Sequence, residues 1–304
     1  MNPRAAARAL RAALPYLTLY QDRIFVVKAS GSLFAHPHGM EILFEQLSVL
    51  HRVGIEIVFV HGGGMQTTEL ARTLGVEPQF AGGRRITCAT TLDAAVMTMR
   101  GTLGAQAVGA FRKLGVPAVG LSGLDGDLVT ARRRPPVEVD GESVDYGHVG
   151  DVVTVNPGVL RSLADSGFVP VVNPIAADAE GQPLNINADT IAAHLAGALG
   201  AAKLILLTEA PGLLDDPDDP HSLVALTDRE GLRDLVGRGA TRGGMLPKAA
   251  AIEHALEHGV PRVHVVSWRN EDSLLAEIFT NEGSGTMIVD HLDEAEDGWA
   301  EAAS

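Results

Sequence analysis

A single cysteine, Cys88, excludes an intrachain disulfide and a thiolate metal cluster, so nothing points to an oxidising compartment and a cytoplasmic location is the expectation. No apolar run approaches the roughly 18 residues that a membrane span needs, so no membrane association is expected. Basic residues are scarce, with 24 Lys plus Arg against 38 acidic residues and a formal net charge of -14. No basic run follows a phosphate backbone, and nucleic acid is not an expected partner. A small anionic substrate would need a locally basic pocket, for which Lys28, Arg85 and Lys248 are candidates.

With 46% hydrophobic and 20% charged residues, the 304-residue chain can bury a full core. Residues 4–14 read as an amphipathic helix with Leu10 and Leu14 on one face, ended by Pro15; the Arg- and Ala-rich start also slightly resembles an organellar transit peptide. From residue 24, short β-branched runs alternate with helical periods, which predicts an α/β three-layer sandwich around a largely parallel central sheet. Predicted strands are Ile24 to Lys28, Ile55 to Val60, Ala118 to Leu121, Phe168 to Val172, Lys203 to Thr208, Val263 to Ser267 and Met287 to Val289. Helices are expected through Leu43, Leu47 and Leu50, after the glycines at 62–64, over 92–111, 157–164 and 188–199, after Gly244, and over 274–279. The loop-rich segment between 122 and 142 reads as an inserted hairpin. An N-terminal lobe, 1–184, and a C-terminal lobe, 185–304, are expected to share one sheet, with a frayed acidic tail over 290–304.

The strongest local signal is a strand running into His61-Gly62-Gly63-Gly64 and then a helix. Such a run lets backbone N–H groups converge on an anion at a helix N-terminus. It equally suits a tight turn that needs positive φ, and it is neither a Walker nor a dinucleotide pattern. Lys28 ends the first strand, where open α/β sheets place ligands, and Ala29-Ser30-Gly31-Ser32 follows it. Two further segments precede helices: Asn185-Ile186-Asn187-Ala188-Asp189, which also reads as an N-cap with an acid in the first turn, and Gly243-Gly244-Met245-Leu246-Pro247-Lys248.

Together these segments resemble the amino-acid kinase family and, within it, acetylglutamate kinases, over about residues 13 to 289. Matching stretches include VHGGG at 60–64, GGRRIT at 82–87, VGLSGLDGD at 119–127, PLNINADTIAAHLA at 183–196, LTEAPGLL at 207–214 and EIFTNEGSGTMI at 277–288. The resemblance implies the amino-acid kinase fold, ATP with Mg2+ held mainly by the nucleotide phosphates, and transfer to the side-chain carboxylate of N-acetyl-L-glutamate in arginine biosynthesis. It implies catalytic roles for Lys28, Asp189 and Lys248, and substrate binding by Gly63, Gly64, Arg85 and Asn185. Phosphate and ATP binding falls to Gly31, Thr208, Gly212, Leu213, Gly244 and Met245. No protein metal ligand is assigned.

The Ala13-Leu14-Pro15-Tyr16-Leu17 stretch resembles the helix end of arginine-inhibited members, in which such helices interlace dimers into a ring. This implies a homo-oligomer larger than a dimer, with a hexamer as the candidate size, and a candidate L-arginine site at Tyr16, Glu277, Gly283 and Gly285. Several positions depart from the family pattern: Ser30 replaces a glycine, Met65 a proline, Cys88 an aspartate, Gly104 an asparagine, Leu124 a lysine and Asp272 a histidine. Those departures leave the exact substrate open, with a kinase for an N-acylated aminoadipate as one rival; the other is a non-catalytic arginine-sensing module, as in the related domains of acetylglutamate synthases, against which the retention of Lys28, Asp189 and Lys248 argues.

Overall fold

Residues 3–139, 141–219, 221–239 and 245–293 are described in a computed structural model of the chain. Helix α1 (Pro3–Tyr20) leads into strand β1 (Ile24–Ala29), a 3-10 turn over Gly31–Ala35 and helix α2 (Pro37–Arg52). Strand β2 (Glu56–His61) and helix α3 (Gly64–Thr73) are followed by strands β3 (Gln79–Ala81) and β4 (Arg84–Ile86). Helix α4 (Ala89–Ala95) passes through a π-helical stretch, Val96–Leu103, into α5 (Gly104–Lys113). Strands β5 (Ala118–Ser122), β6 (Val129–Arg133), β7 (Val137–Val139), β8 (Glu142–Val144) and β9 (Gly150–Val155) come next. Helix α6 (Gly158–Asp165) precedes β10 (Val169–Asn173), β11 (Ile175–Ala177) and β12 (Pro183–Asn185). The remainder is α7 (Ala188–Leu199), β13 (Lys203–Thr208), β14 (Leu226–Asp228), α8 (Arg229–Gly237), α9 (Met245–Glu257), β15 (Val263–Ser267), α10 (Ser273–Phe279) and β16 (Thr286–Val289).

Eight strands form the central sheet in the order β14-β16-β15-β13-β1-β2-β10-β5. All its pairs are parallel except β15 with β16. Parallel strands covered on both faces read as continuous apolar runs, as in Phe25-Val26-Val27 and Ile57-Val58-Phe59-Val60. Alternation along β1 assigns the faces: Phe25, Val27 and Ala29 join the core beneath α2, α5 and α10, whereas Val26 joins the core beneath α6, α7, α8 and α9. Helices therefore cover the sheet on both sides, a three-layer α/β sandwich. The same two-residue period turns Lys28 toward the α7 side. The chain goes from β1 to β2 on one side and later fills β13 on the other, so β1 stands at a topological switch point, where open sheets leave a crevice at the strand ends.

Three expectations are revised. Pro15 lies inside α1, which continues to Tyr20. A proline removes one backbone bond, but Tyr16 and Leu19 pack against the core and Tyr20 is buried in it, so tertiary contact carries the helix past the break. Leu10 and Leu14 are 66% and 56% exposed, so the apolar face of α1 is not covered by its own chain. Strand β14 and helix α8 are absent from the expected elements, because a three-residue strand directly capped by Asp228 leaves too short a pattern to read. The inserted segment, expected as one hairpin between 122 and 142, extends to Val155 as a β6/β9 hairpin with a smaller β7/β8 hairpin at its end. Gly243, Gly244 and the tail from residue 294 lie outside the described residues. Among the described residues, no helix is long and apolar enough to cross a membrane.

Candidate active site

Lys28 and Lys248 both reach the same oxygen of Asp189, at 2.8 and 2.9 Å, although the three residues come from β1, α9 and α7. All three are buried. Asn187 caps α7 by accepting from the backbone N–H groups of Asp189 and Thr190, which fixes Asp189 in the first turn, where the helix dipole favours a carboxylate. Burial alone would raise the pKa of Asp189, but the two ammonium groups outweigh it and hold the carboxyl well below its ordinary range. Lys248 is pushed down to about 8 by burial and by the charge of Lys28, with Asp189 opposing both.

Lys28 and Asp189 of this triad line a cleft of ≈ 240 Å³, together with Ser30, Gly31, the glycines at 62–64, Thr67, Arg85, Met99 and Asn185. Two glycine-bearing loops touch at its floor. A Cβ on Gly31 would sit 2.8 Å from the Cα of Gly63, and one on Gly63 would sit 2.5 Å from Met99 Cγ. Glycine is required here by close approach; the turn reading of the run does not apply, since Gly63 is extended at φ -168°. With glycine as its N-cap, α3 has no side chain to occupy its first-turn N–H groups. Gln66 Nε2 donates to Gly31 O at 2.7 Å and ties the two loops together.

Arg85 reaches in from β4. Its Nη2 donates to Gly64 O at 2.8 Å and to Thr68 Oγ1 at 2.6 Å, its guanidinium lies 4.8 Å from the Phe80 ring centroid, and Nη1 is buried without a partner. Asn185 Nδ2 is 3.4 Å from Thr87 Oγ1, at the β12 end of the same cleft. Two lysines thus converge on one carboxylate and Arg85 lines the same cleft, a local excess of cations in a chain of net charge -14. Cationic and N–H donors around a small cleft suit an anion such as a phosphate group. A metal would find little here, because the one carboxylate is already shared by two lysines.

The expected nucleotide residues lie elsewhere in the C-terminal half. Thr208 ends β13 and its carbonyl accepts from Trp268 N at 3.0 Å. Gly212 and Leu213 pack on β16, with Leu213 N donating to Thr286 Oγ1 at 2.8 Å, and Met245 opens α9 against the core. Tyr16, Glu277, Gly283 and Gly285 come together around a separate cavity of ≈ 130 Å³ between α1 and α10. Tyr16 hydrogen-bonds Asn281 there. Glu277 accepts from Ser284 N at 2.6 Å, Gly285 N at 2.8 Å and His264 Nδ1 at 2.7 Å, and Lys203 Nζ lies 2.8 Å from His264 Nε2.

The sequence reading missed this Lys203-His264-Glu277 chain. The available signal was a charged residue and a histidine inside otherwise apolar strands, KLILLT and VHVVS. Burial holds His264 down at about 4, so at neutral pH it is uncharged, donating from Nδ1 to the Glu277 carboxylate and accepting at Nε2 from Lys203. Among the family departures, Ser30 lines the cleft and contacts Ser32 at 2.6 Å between hydroxyls, Met65 and Cys88 are exposed, and Asp272 caps α10 at φ 58°. In the inserted segment, Arg133 is paired to Asp145 and Arg134 to Asp151.

Residues 23–267 match the amino acid kinase family. An acetylglutamate kinase of Methanothrix thermoacetophila is 41% identical over 276 residues, covering 91% of this chain and 96% of that protein. One from Myxococcus xanthus is 44% identical over 287 residues, covering 92% and 93%. Among solved structures, an N-acetylglutamate synthase of Neisseria gonorrhoeae, crystallised with coenzyme A and N-acetyl-glutamate, is 27% identical with a TM-score of 0.82; the match covers 94% of this chain and 63% of that longer one. The chain belongs to the amino acid kinase family and, within it, to the acetylglutamate kinases.

Proposed function

We propose that the protein transfers the γ-phosphoryl group of ATP to the side-chain carboxylate of N-acetyl-L-glutamate, giving an acyl phosphate and ADP in arginine biosynthesis. The observation that carries this reading is the buried Asp189 bridge between Lys28 and Lys248 beside a glycine-walled cleft that ends at Arg85 and Asn185. The relatives named acetylglutamate kinase, similar along nearly their whole length, support it.

A glutamate-type carboxyl group ordinarily titrates at a pKa of about 4.3, so at neutral pH it is already an anionic nucleophile and needs no general base. Its oxygen forms the new bond to the γ-phosphorus as the bond to the β,γ-bridging oxygen breaks, and ADP leaves with that electron pair. The obstacle is bringing one anion up to another. Lys28 and Lys248 flank the transferring group and stabilise its charge, and Asp189 holds both ammonium groups in place. Gly31, Gly63 and Gly64 present N–H groups to phosphate and acceptor, and Arg85 and Asn185 hold the acyl amino acid. Magnesium, bound mainly through the nucleotide phosphates, supplies further charge neutralisation. Thr208, Gly212, Leu213 and Met245 border the nucleotide.

We place the enzyme in the cytoplasm, as a homo-oligomer up to a hexamer in which the exposed Leu10 and Leu14 face of α1 meets another subunit. L-arginine binds in the cavity of Tyr16, Glu277, Gly283 and Gly285 as a feedback inhibitor. Deleting residues 1–17 is expected to reduce the particle to a dimer in light scattering and to raise the arginine needed for inhibition; an unchanged mass refutes the interlacing. ADP release tests the reaction itself, with N-acetyl-L-glutamate, N-acetylaminoadipate or neither as acceptor. Release dependent on N-acetyl-L-glutamate is expected. Preference for the longer acid, or no acceptor dependence, overturns the assignment.

A further inference from the structure

Unpaired polar atoms in the interior gather at one wall of the cleft. Among the described residues, six buried side-chain atoms lack a hydrogen-bond partner; Arg229 Nε and Trp268 Nε1 lie elsewhere, whereas His61 Nε2, Gln66 Oε1, Thr67 Oγ1 and Arg85 Nη1 are all on or against the glycine run and α3. Buried polar groups are as a rule paired, so such a concentration marks a place where a ligand completes the bonding. Thr67 and Arg85 are the two of these that line the cleft.

Thr67 differs from the other threonines of its helix. The hydroxyls of Thr68 and Thr73 fold back onto the carbonyls four residues earlier, Gly64 O at 2.9 Å and Glu69 O at 3.0 Å, the usual resting place for a helical threonine. Thr67 is only 2% exposed, yet its hydroxyl makes no such bond. Gly64, Thr67 and Thr68 share one helix face by their i, i+3, i+4 spacing, and Gly64 O and Thr68 Oγ1 hold Arg85 Nη2 on that face. Arg85 Nη1 and Thr67 Oγ1 are left as two open donors on residues that line the same cleft.

We propose that Thr67 is a specificity-determining contact of the acceptor site, its hydroxyl donating to an oxygen of the acyl amino acid beside Arg85. This rests on the acceptor being the N-acylated acidic amino acid of the proposed reaction. A site built to hydrogen-bond an acceptor oxygen discriminates against analogues that lack it, because the buried hydroxyl is then left unpaired.

Thr67→Val removes the hydroxyl at nearly constant shape, and Thr67→Ser retains it. The Val variant is expected to raise the KM for N-acetyl-L-glutamate about tenfold, with the KM for ATP and kcat within about twofold of wild type, and the Ser variant to restore most of the loss. Ligand-free Thr67→Val is expected to melt no lower than wild type, since it removes a buried unpaired hydroxyl. An unchanged acceptor KM in Thr67→Val, or equal rises in both KM values with a lowered melting temperature, overturns the contact. Calorimetric titration with N-acetyl-L-glutamate separates this inference from the reaction it rests on. Binding that weakens about tenfold in the Val variant supports the contact even without turnover, whereas wild-type binding without turnover overturns the reaction alone. No binding by the wild type overturns both.

Discussion

Two buried carboxylates, Asp189 and Glu277, sit on opposite faces of the sheet and are stabilised in different ways. Asp189 is held by two lysine ammonium groups, in a cleft where buried donors remain open. Glu277 is held by a neutral histidine and two backbone N–H groups, and none of the unpaired buried atoms among the described residues belongs to its network. Both are driven below the ordinary carboxylate range against the cost of burial. The difference lies in what is left over. The first region has cationic charge and donors in excess and is completed by an anion, whereas in the second the chain's own donors already meet the Glu277 carboxylate, beside the cavity in which we place L-arginine. A perturbed carboxylate alone therefore does not identify the chemistry; the surplus around it does.

Removing a cation from the first region is expected to have the largest effect. Lys248→Ala should lower turnover by about a thousandfold, comparable to losing one transition-state donor, while Asp189 keeps its contact to Lys28 and the fold persists. Steady-state kinetics beside circular dichroism checks this, and near-wild-type turnover would erase the distinction between the two carboxylates. Next, Arg85→Ala should raise the KM for N-acetyl-L-glutamate by roughly 30- to 100-fold while leaving that for ATP nearly unchanged, since a half-buried guanidinium loses a charge-assisted bond of about 2–3 kcal/mol. Equal losses for both substrates would show that the cleft is not divided between acceptor and nucleotide.

The Glu277 network should answer in stability instead. Glu277→Gln puts an amide against three donors and should cost on the order of 2 kcal/mol in urea unfolding, with kcat within about twofold. The pH dependence has a definite sign. Glu277 is held at about 2 in the folded chain, because His264 and the backbone N–H groups of Ser284 and Gly285 outweigh its burial, against an unfolded value of 4.5. Its contribution is therefore complete above pH 4.5 and lost as pH falls toward 2. The Gln variant should flatten the stability curve in that window, and an unchanged slope would show that the carboxylate is not what the network stabilises.

How much is legible in the sequence follows the same division. The strand ending in Lys28, the glycine run and the cap before α7 can be read because each places a special residue type at a strand end or a helix start. Their convergence cannot be read from spacing, since Lys28, Asp189 and Lys248 meet only through the strand order β13-β1-β2 and the packing of α7 beside α9; the family resemblance supplies it. Lys203 and His264 read simply as strand residues, although a polar side chain within an apolar parallel strand must find a buried partner. Pro15 reads as a stop when local preference is weighed without the core contacts of Tyr16 and Tyr20. Thr67 gives no signal, since an exposed and a buried helical threonine look alike in a sequence.

The measurement closest to the central claim is trapping of the product with hydroxylamine during incubation with ATP, Mg2+ and N-acetyl-L-glutamate. An acyl phosphate reacts to give a hydroxamate and phosphate, whereas simple ATP hydrolysis gives none. The account predicts hydroxamate formed in step with ADP by the wild-type protein and nearly absent with Lys248→Ala. ADP released without hydroxamate, or hydroxamate formed equally well by the variant, would contradict the claim that the Lys28-Asp189-Lys248 cleft carries phosphoryl transfer to a carboxylate.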